Sequence, residues 1–519
     1  MNRSERRRAA YRRMREDVAE FSAHALEMPL REYQKVWARQ IYAAGMSRTN
    51  QTIVVEMSRQ SGKNETAAQL EVALLAANAG RGGDIVKTAP TWKPQIVNSK
   101  RRFEARARQA KRRLSFLNFR GTQGYIVECG AASIQFLSAS PTADVVGATA
   151  SILLEVDEAQ DVAPAKYDKD FAPMRASTGA PVALYGTAWT TDTLLAQFAE
   201  KVQAGALAGS YHRIPWDIVA AEVPVYGEFV QSEIRRLGID HPLIRTQYLL
   251  IPLESGGYML TDQQLRQVIG RHPRQAAREG EAQIVVGIDF AGADEAAGSI
   301  EMLLASGGSR DSVAVTVASV TWHPLIAGAD QTAAMEWPEI QILDRYEWTN
   351  VRPDAVHHAL IDIVENKWQA DRIHCDATGI GETSTAFLAA ALPNGAQRVV
   401  GQKFDAAWKT HTRLAFNLIA QINSGRLHDY ATTEADGDPL IWARASEQPP
   451  AGNVTARAWH QRGHARLEAR PGQRVRAYVP DNEGHDDLLI ADMLAVDAAL
   501  AGPRPYVNPA AVSTVLSAW

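Results

Sequence analysis

A Gly-Lys pair at Gly62 and Lys63 is the first feature of the sequence that could do chemistry. It lies between a run of mostly β-branched residues, TIVVEM, and the helical pattern ETAAQLEVALLAANAG. In that position, backbone N–H groups and a helix N-terminus can face phosphate oxygens while the lysine adds a positive charge. The full phosphate-loop pattern, GxxxxGK followed by Ser or Thr, is incomplete, because Met57 replaces the first glycine and Asn64 the hydroxyl residue. Taken alone, the pair is a weak signal, since such a pair is more often a helix cap.

Two adjacent carboxylates strengthen the phosphate interpretation. Residues 151–161 read SILLEVDEAQD, an apolar strand pattern that ends at Asp157 and Glu158. An ATPase needs one carboxylate to hold Mg²⁺ and a second one to orient or deprotonate the attacking water. The loop and the acidic pair together predict an ATP site at the ends of strands in one parallel sheet.

Three acidic positions in the second half of the chain suggest a metal site. Asp289 ends the strand pattern VVGID, Asp376 ends RIHCD, and Asp486 and Asp487 open a helical pattern. Carboxylates at the ends of buried strands are costly to desolvate unless they are paired or bound to a metal. Each alone is more often a loop starter, but the order first strand, fourth strand and final helix matches an RNase H-like nuclease core with two divalent ions.

Helical geometry distinguishes the two neighbouring aspartates. Asp487 shares its helix face with small and apolar residues at 491, 494, 495 and 498, so that face can approach a sheet closely. We therefore expect Asp487 to point at the metals and Asp486 to be an accessory ligand. His485 is either a proton-transfer group or a polar residue at the start of the helix.

The surrounding elements predict an α/β protein with two domains. Apolar strand patterns alternate with amphipathic helices from residue 52 onward, which is typical of a parallel sheet covered on both faces. A second α/β series begins with QIVVGIDFAG, SIEMLLAS and DSVAVTVASVTW, interpreted as three strands before a helix. The predicted boundaries are a basic N-terminal arm over 1–29, an ATPase domain over 30–260, a linker over 261–283, a nuclease domain over 284–501 and a tail over 502–519.

Composition limits the alternatives. The 519 residues exclude a single small module, and no apolar run approaches the roughly 18 residues that span a bilayer. Cys129 and Cys375 are far apart and lack a CxxC pattern, so neither a disulfide framework nor a structural zinc site is predicted. The Arg-rich N-terminus lacks the apolar segment of a secretory signal, which favours a cytoplasmic location.

Positive charge is clustered although the net charge is −4. Residues 2–16 carry seven Arg against two Glu, and residues 100–113 carry eight Lys or Arg against one Glu. Such runs are suited to phosphate contacts with nucleic acid. Solvated helix faces or a disordered tail remain equally good interpretations of either run.

The motifs SRQSGKN, LLEVDEAQ and YGTAWTTDT together resemble the large terminase subunit of tailed bacteriophages. The resemblance implies an N-terminal P-loop ATPase domain, RecA/ASCE-like, and a C-terminal RNase H-like nuclease domain, and it covers roughly residues 30–501. It implies catalytic roles for Glu158 in the ATPase and for Asp289, Asp376 and Asp487 in the nuclease, with Asp486 as a further metal ligand. The implied nucleotide-binding residues are Gln34, Arg59, Gln60, Ser61, Gly62, Lys63, Asn64, Glu65 and Asp157.

Two further roles follow from the same resemblance. Gly186 and Thr187 match the coupling motif that links hydrolysis to movement. The segment LREYQKVWARQI resembles an adenine-side glutamine motif at Gln34, with Tyr33 beside it, although an amphipathic helix explains the same residues nearly as well.

The sequence departs from the family at two points. Asn64 has no hydroxyl for Mg²⁺, so its amide oxygen or Thr66 would have to substitute. The family's trans-acting arginine would stand at Val146, eleven residues before Asp157, and Arg101 and Arg102 are unranked replacements.

The resemblance implies a viral genome-packaging motor that moves double-stranded DNA into procapsids and cuts concatemeric DNA. Its cofactors would be ATP and Mg²⁺, with Mn²⁺ as an alternative ion at the nuclease site. Its partners would be double-stranded DNA, a portal protein or procapsid, a small terminase subunit and copies of itself in a homo-oligomeric ring, a pentamer, with a monomer in isolation. It would act in the host cell cytoplasm, transiently on the procapsid and not in the mature virion, without a membrane. A helicase-nuclease of DNA repair and a non-hydrolysing nucleotide-binding scaffold are the alternatives.

Overall fold

The computed structural model describes residues 11–145, 147–253, 256–290, 312–325, 335–349, 353–450, 452–470 and 472–501. The chain forms two compact units. The first unit comprises Met1–Ile234, Pro242–Ser255 and Pro471–Gln473, and the second comprises Arg235–His241, Gly256–Arg470 and Arg474–Trp519.

The first unit is built on an eight-stranded sheet. Its strands are β1 (Thr52–Met57), β2 (Gly83–Ala89), β3 (Phe119–Thr122), β4 (Ile126–Cys129), β5 (Ala132–Ser138), β6 (Leu153–Val156), β7 (Val182–Gly186) and β8 (Gly209–Ile214). Their order is β3-β4-β5-β2-β6-β7-β1-β8. The six strands from β5 to β8 pair in parallel, and β3 and β4 form an antiparallel edge. Every residue of β1 and β7 is buried, as expected for parallel strands covered on both faces.

Helices connect these strands. The α-helices within residues 17–253 are α1 (Val18–His24), α2 (Glu32–Ser47), α3 (Lys63–Asn78), α4 (Val97–Arg113), α5 (Pro164–Lys166), α6 (Leu194–Gln203), α7 (Trp216–Glu222), α8 (Pro224–Leu237) and α9 (Pro242–Gln247). The predicted parallel α/β core is confirmed. The β3–β4 hairpin and β8 were not predicted, because their short, half-polar sequences lack the apolar runs of the central strands.

The second unit has a six-stranded sheet in the order β13-β12-β9-β10-β11-β14. The strands are β9 (Gln283–Asp289), β10 (Val313–Leu325), β11 (Met335–Trp348), β12 (Arg372–Asp376), β13 (Val399–Gln402) and β14 (Leu427–His428), and a separate hairpin contains β15 (Arg466–Arg470) and β16 (Arg474–Tyr478). β9, β10 and β11 form an antiparallel meander, while β12 pairs in parallel with β9 and β13. This is the arrangement of an RNase H-like sheet, so the predicted fold class is confirmed.

One strand of this sheet differs from the sequence prediction. The third strand is β11, which the sequence analysis did not identify, and the predicted strand SIEMLLAS lies outside the described residues. β12 nevertheless remains the fourth described strand of the unit, so Asp376 keeps its predicted place in the order.

The last helix packs closely on the central strand. The described α-helices of the second unit are α10 (Asp262–Val268), α11 (Pro353–Ile361), α12 (Ile380–Ala391), α13 (Gly395–Arg398), α14 (Lys409–Asn423), α15 (Pro439–Trp442), α16 (Val454–His464) and α17 (Asp487–Leu500). A β-carbon on Gly287 of β9 would lie 2.1 Å from the carbonyl oxygen of Ala491 in α17. The close approach predicted from the small-residue face of this helix is therefore present.

The predicted arm and linker contain folded elements. Residues 11–29 include α1, whose Val18 and Phe21 are buried in the first unit. Residues 261–283 include α10, with Thr261 as its N-cap, and lie inside the second unit. Residues 1–10 and the predicted tail, 502–519, lie outside the described residues. Among the described helices, none is long and apolar enough to cross a membrane.

Candidate functional sites

The loop between β1 and α3 has the backbone of a phosphate-binding turn. Gly62 adopts φ 90° and ψ 11° at the N-cap of α3, and Lys63 is the first residue of that helix. A β-carbon at Gly62 would lie 2.7 Å from Nε2 of Gln34. Glycine is therefore required here both for its left-handed conformation and for space.

Lys63 brings the loop and the acidic pair together. Its Nζ lies 2.7 Å from Oε1 of Glu158 and 3.2 Å from Oδ1 of Asp157. Burial would lower the pKa of Lys63, but these two carboxylates outweigh that effect and raise it. Burial would likewise raise the pKa of Asp157, but Lys63 and Lys87 lower it. The structure therefore brings these three residues into direct contact, while their roles toward ATP stay predictions.

A cavity of about 590 Å³ opens above this loop. Its lining includes the predicted residues Arg59, Gln60, Ser61, Gly62, Lys63, Asn64, Glu65, Glu158 and Thr187. It also includes Arg102 of α4, which the sequence could not rank against Arg101. Four residues after Arg102, Arg106 places Nε 3.3 Å from Oε1 of Glu65, so this face of α4 turns toward the loop. The position of Val146 lies outside the described residues.

Two predicted residues, Gln34 and Tyr33, form hydrogen bonds with the backbone of the loop. Gln34 is 5% exposed; its Oε1 accepts the N–H of Arg31 at 3.0 Å and its Nε2 donates to the carbonyl of Ser61 at 3.4 Å. The hydroxyl of Tyr33 donates to the same carbonyl at 2.9 Å. Both side chains support the loop backbone, and the adenine-side role of Gln34 stays a prediction.

Asn64 offers an oxygen suited to a metal ion. Its Oδ1 is buried and has no hydrogen-bond partner among the described residues. The hydroxyl of Thr66 instead donates to the carbonyl of Gly62 at 3.2 Å. An amide oxygen is a normal ligand for a hard divalent cation. Of the two substitutes that the sequence left open, Asn64 fits Mg²⁺ better.

In the second unit, the predicted acidic residues lie toward one edge of the sheet. Asp289 ends β9 and pairs with Ala314 of β10. β12 runs parallel to β9 with Cys375 opposite Ile288, so Asp376 follows at the same edge. Oδ2 of Asp487 accepts the N–H of Ser312, just before β10, at 2.9 Å. Asp289 and Asp487 are buried.

Asp486 and Asp376 influence each other electrostatically. Burial raises the pKa of Asp376, the hydrogen bonds from Thr378 oppose this, and the charge of Asp486 raises it further. His485 acts on a different carboxylate, because burial raises the pKa of Glu347 while Arg457 and His485 lower it. The charge of Asp486 therefore acts on the carboxylate of β12, whereas His485 acts on Glu347 of β11.

The donors at this edge have the chemistry of a site for hard divalent cations, since all of them are carboxylates. Among the described residues, however, no three His, Cys, Asp or Glu side chains are gathered as a ready metal site. Asp376 instead accepts a hydrogen bond from the N–H of Thr378 at 2.7 Å. Asp487 accepts one from the N–H of Ser312. The metal-binding roles of Asp289, Asp376, Asp486 and Asp487 remain predictions.

A buried ion-pair network fixes the helix that carries Asp487. Arg345 of β11 contacts both oxygens of Asp429, at 2.9 and 2.8 Å, and Nε of Arg345 lies 3.1 Å from Asp492 of α17. Arg462 of α16 binds the same two aspartates at 2.9 and 2.6 Å. All four side chains are at most 1% exposed. No local sequence pattern reveals this network, because its members are far apart along the chain.

Comparison with known proteins gives matches only among solved structures. No protein-family model matches the sequence, and no curated protein matches it. The large terminase of a thermophilic bacteriophage is similar over 92% of this chain and 100% of its own, with 12% identity and a TM-score of 0.48. The HK97 bacteriophage large terminase is similar over 93% and 99%, with 12% identity and a TM-score of 0.40.

Separate domains are matched as well. The large terminase nuclease from thermophilic phage G20c, solved with bound magnesium, is similar over 46% of this chain and 96% of its own, with 12% identity and a TM-score of 0.29. These solved structures are large terminases from several phages, and they include whole chains and separate ATPase and nuclease domains.

Proposed function

We propose that the chain is a DNA-packaging ATPase joined to a metal-dependent endonuclease. It would move double-stranded DNA into a procapsid and cut concatemeric DNA. The observation that carries the proposal is the contact of Lys63 with both Asp157 and Glu158 at the mouth of a glycine-capped loop. The phosphate loop, the proposed metal-binding carboxylate of Asp157 and the proposed catalytic carboxylate of Glu158 are then neighbours, as ATP hydrolysis requires.

The ion pair between Lys63 and Glu158 suggests how hydrolysis is gated. A triphosphate entering the cavity attracts the Lys63 ammonium, which stays charged because its pKa is raised. Glu158 then loses its cation and can accept a proton from the attacking water. Mg²⁺ held by Asp157 and by Oδ1 of Asn64 would neutralise charge on the phosphates. The loop N–H groups at the start of α3 would face the same phosphates.

In the second unit, Asp289, Asp376 and Asp487 would hold the nuclease metals, with Asp486 as an accessory ligand. Mg²⁺, or Mn²⁺ as an alternative, would activate water and stabilise the leaving 3′ oxygen. The N–H groups of Ser312 and Thr378 already restrain two of these carboxylates.

The proposed partners follow from the packaging role. They are double-stranded DNA, a portal or procapsid, a small terminase subunit and further copies of the chain in a ring, assembled in the host cytoplasm. DNA contact is assigned to α4, where Arg101, Arg108, Lys111 and Arg112 are exposed.

The proposal is tested with the purified full chain. We expect Mg²⁺-dependent ATP hydrolysis that Glu158→Gln reduces by about 100-fold or more without loss of ATP binding, because the base is removed and the loop is not. Lys63→Ala should lose binding. Glu200→Gln, an exposed residue of α6, is the matched control and should hydrolyse ATP at the wild-type rate.

Wild-type turnover by Glu158→Gln would show that the catalytic carboxylate is misassigned. ATP binding by the wild-type chain without any turnover, alone or with procapsids, would favour the non-hydrolysing scaffold.

A further inference from the structure

Gln160 joins the catalytic carboxylate to the end of β7. Its Nε2 donates to Oε2 of Glu158 at 2.8 Å, and its Oε1 accepts the N–H of Thr187 at 3.3 Å. Nε2 also lies 3.4 Å from Oδ2 of Asp161. Gln160 is 2% exposed. A primary amide is suited to this position because it donates at one atom and accepts at the other without carrying charge.

Gly186 provides the space for this arrangement. A β-carbon there would lie 2.1 Å from Oε1 of Gln160 and 2.7 Å from Cδ2 of Leu195. Any larger residue would push the amide of Gln160 away from Thr187. Gly186, the glycine of the predicted coupling motif, therefore leaves room for the side chain of Gln160.

The hydrogen bonds continue from Thr187 to the phosphate loop. Nε2 of Gln247, at the end of α9, donates to Oγ1 of Thr187 at 3.4 Å. The carbonyl of Gln247 accepts the N–H of Arg59 at 2.8 Å. Gln247 is 2% exposed and Thr187 is 6% exposed. An unbroken chain of polar contacts therefore links Glu158 to the loop through the coupling motif, in surroundings where a broken hydrogen bond is costly.

We propose that Gln160 is a positioning residue that aims Glu158 and couples its movement to Thr187. The inference rests on the proposed ATPase function. Lys63 holds Oε1 of Glu158 and Gln160 holds Oε2. When phosphates draw Lys63 away, Gln160 becomes the partner that sets the direction of the carboxylate. A movement of Glu158 then displaces the side-chain amide of Gln160. The hydrogen bond between that amide and the N–H of Thr187 transmits the displacement to Thr187.

A role in packing alone makes a different prediction. Loss of a packing residue lowers thermal stability and disturbs nucleotide binding together with turnover. Loss of a positioning residue lowers kcat while the Kd for nucleotide stays the same.

The experiment uses Gln160→Met in the full chain, since Met has a similar length and cannot replace either hydrogen bond. We expect the Kd for a fluorescent ATP analogue to stay within about twofold and kcat to fall about tenfold or more. Hydrogen exchange of a peptide covering residues 187–193, with and without ATP-γ-S, is the second measurement. The nucleotide-dependent difference in exchange should be present in the wild-type chain and absent in Gln160→Met.

Gln69→Met is the matched control, because Gln69 is buried in α3 and its Oε1 has no hydrogen-bond partner among the described residues. It should keep the wild-type kcat. If Gln160→Met does not fold, Gly186→Ala displaces the amide from the opposite side and should give the same loss of kcat at constant Kd.

Wild-type kcat in a folded Gln160→Met chain would overturn the inference. A rise in Kd as large as that of Lys63→Ala would also overturn it, in favour of packing. A wild-type chain without Lys63-dependent hydrolysis would refute the proposed function itself, which distinguishes the two failures.

Discussion

At the scale of single residues, the phosphate loop departs from its usual pattern where a metal ligand is needed. Asn64 stands in place of the hydroxyl residue, and its Oδ1 is a buried acceptor with no partner among the described residues. An unsatisfied buried acceptor costs about 1–3 kcal/mol. A divalent cation brought in with ATP would relieve that cost. The departure is therefore compatible with Mg²⁺ binding.

Asn64→Ala should weaken binding of the Mg²⁺-ATP complex by about tenfold, or about 1.4 kcal/mol. Asn64→Ser restores an oxygen and should bind like the wild-type chain. Thr66→Val is the control, since that hydroxyl already bonds to the carbonyl of Gly62. The Kd of a fluorescent ATP analogue should be measured with Mg²⁺ and with EDTA, and the difference between Asn64→Ala and wild type should vanish in EDTA. A loss caused by Thr66→Val instead would move the ligand to Thr66.

At the scale of elements, the position of α17 depends on buried charges. Its Asp492 lies between the guanidinium groups of Arg345 and Arg462, and Thr316 donates to the same carboxylate at 2.8 Å. Burial would raise the pKa of Asp492, but the two arginines outweigh it and lower the pKa. Because Asp487 opens the same helix, this network also holds a candidate metal ligand in place.

Asp492→Asn should lower the free energy of unfolding by about 3–5 kcal/mol, because it leaves buried guanidinium charge without its partner. The folded-state pKa is depressed, so this stabilisation is fully present above the unfolded-state pKa and is lost as the pH falls through the folded-state value. Urea unfolding at neutral and acidic pH should therefore show the two proteins converging in acid. Asp481→Asn, at an exposed site, should change stability by less than about 0.5 kcal/mol. Equal stability of Asp492→Asn and wild type at neutral pH would contradict the role of the network.

The same elements show what a sequence can and cannot reveal. The apolar strands that end at Asp289 and Asp376, and the one that ends just before Asp157, were predictable because burial on both faces requires continuous apolar runs. β11 was missed since it contains Pro338 and many charged residues, among them Arg345. The partners that neutralise Arg345 come from other elements, so its burial leaves no local pattern.

Gln160 shows that a residue inside a recognised motif can form contacts that the sequence does not predict. It lies two residues after the predicted catalytic Glu158, yet its proposed role depends on Thr187, which reaches it only through the pairing of β6 with β7. Helical and strand periodicity carry no information about such contacts. Adjacent motifs could be predicted from the sequence, whereas the hydrogen bonds between them required the fold.

At the scale of the whole molecule, two compact units each contain their own sheet and one candidate site. Lys63, Asp157 and Glu158 belong to the first unit. Asp289, Asp376, Asp486 and Asp487 belong to the second. Substitutions that alter charge without altering volume should therefore separate the two activities, because substitutions in separate units with no shared partners act independently.

Asp289→Asn should abolish DNA cleavage and leave ATP hydrolysis nearly unchanged. Asn keeps the shape of the side chain and one oxygen, but it removes the negative charge that a pair of divalent cations requires. Asp289 ends the central strand, between the strands that carry Ala314 and Asp376, and we therefore expect it to be the acidic residue that contacts both proposed ions. Asp376→Asn and Asp487→Asn should have the same effect, and Asp486→Asn a milder one.

The assay uses plasmid DNA with Mg²⁺ and, in parallel, with Mn²⁺, and EDTA should stop cleavage by the wild-type chain. Lys63→Ala is the reciprocal variant, with ATP hydrolysis lost and plasmid cleavage retained, while Asp481→Asn controls for loss of an exposed carboxylate in the same unit. Wild-type cutting by Asp289→Asn with either metal would refute the metal-ligand role of Asp289. Loss of both activities in Asp289→Asn, with stability unchanged, would show instead that the two sites depend on each other. The loss of a charge in the second unit would then have to affect Lys63 and Glu158 in the first unit.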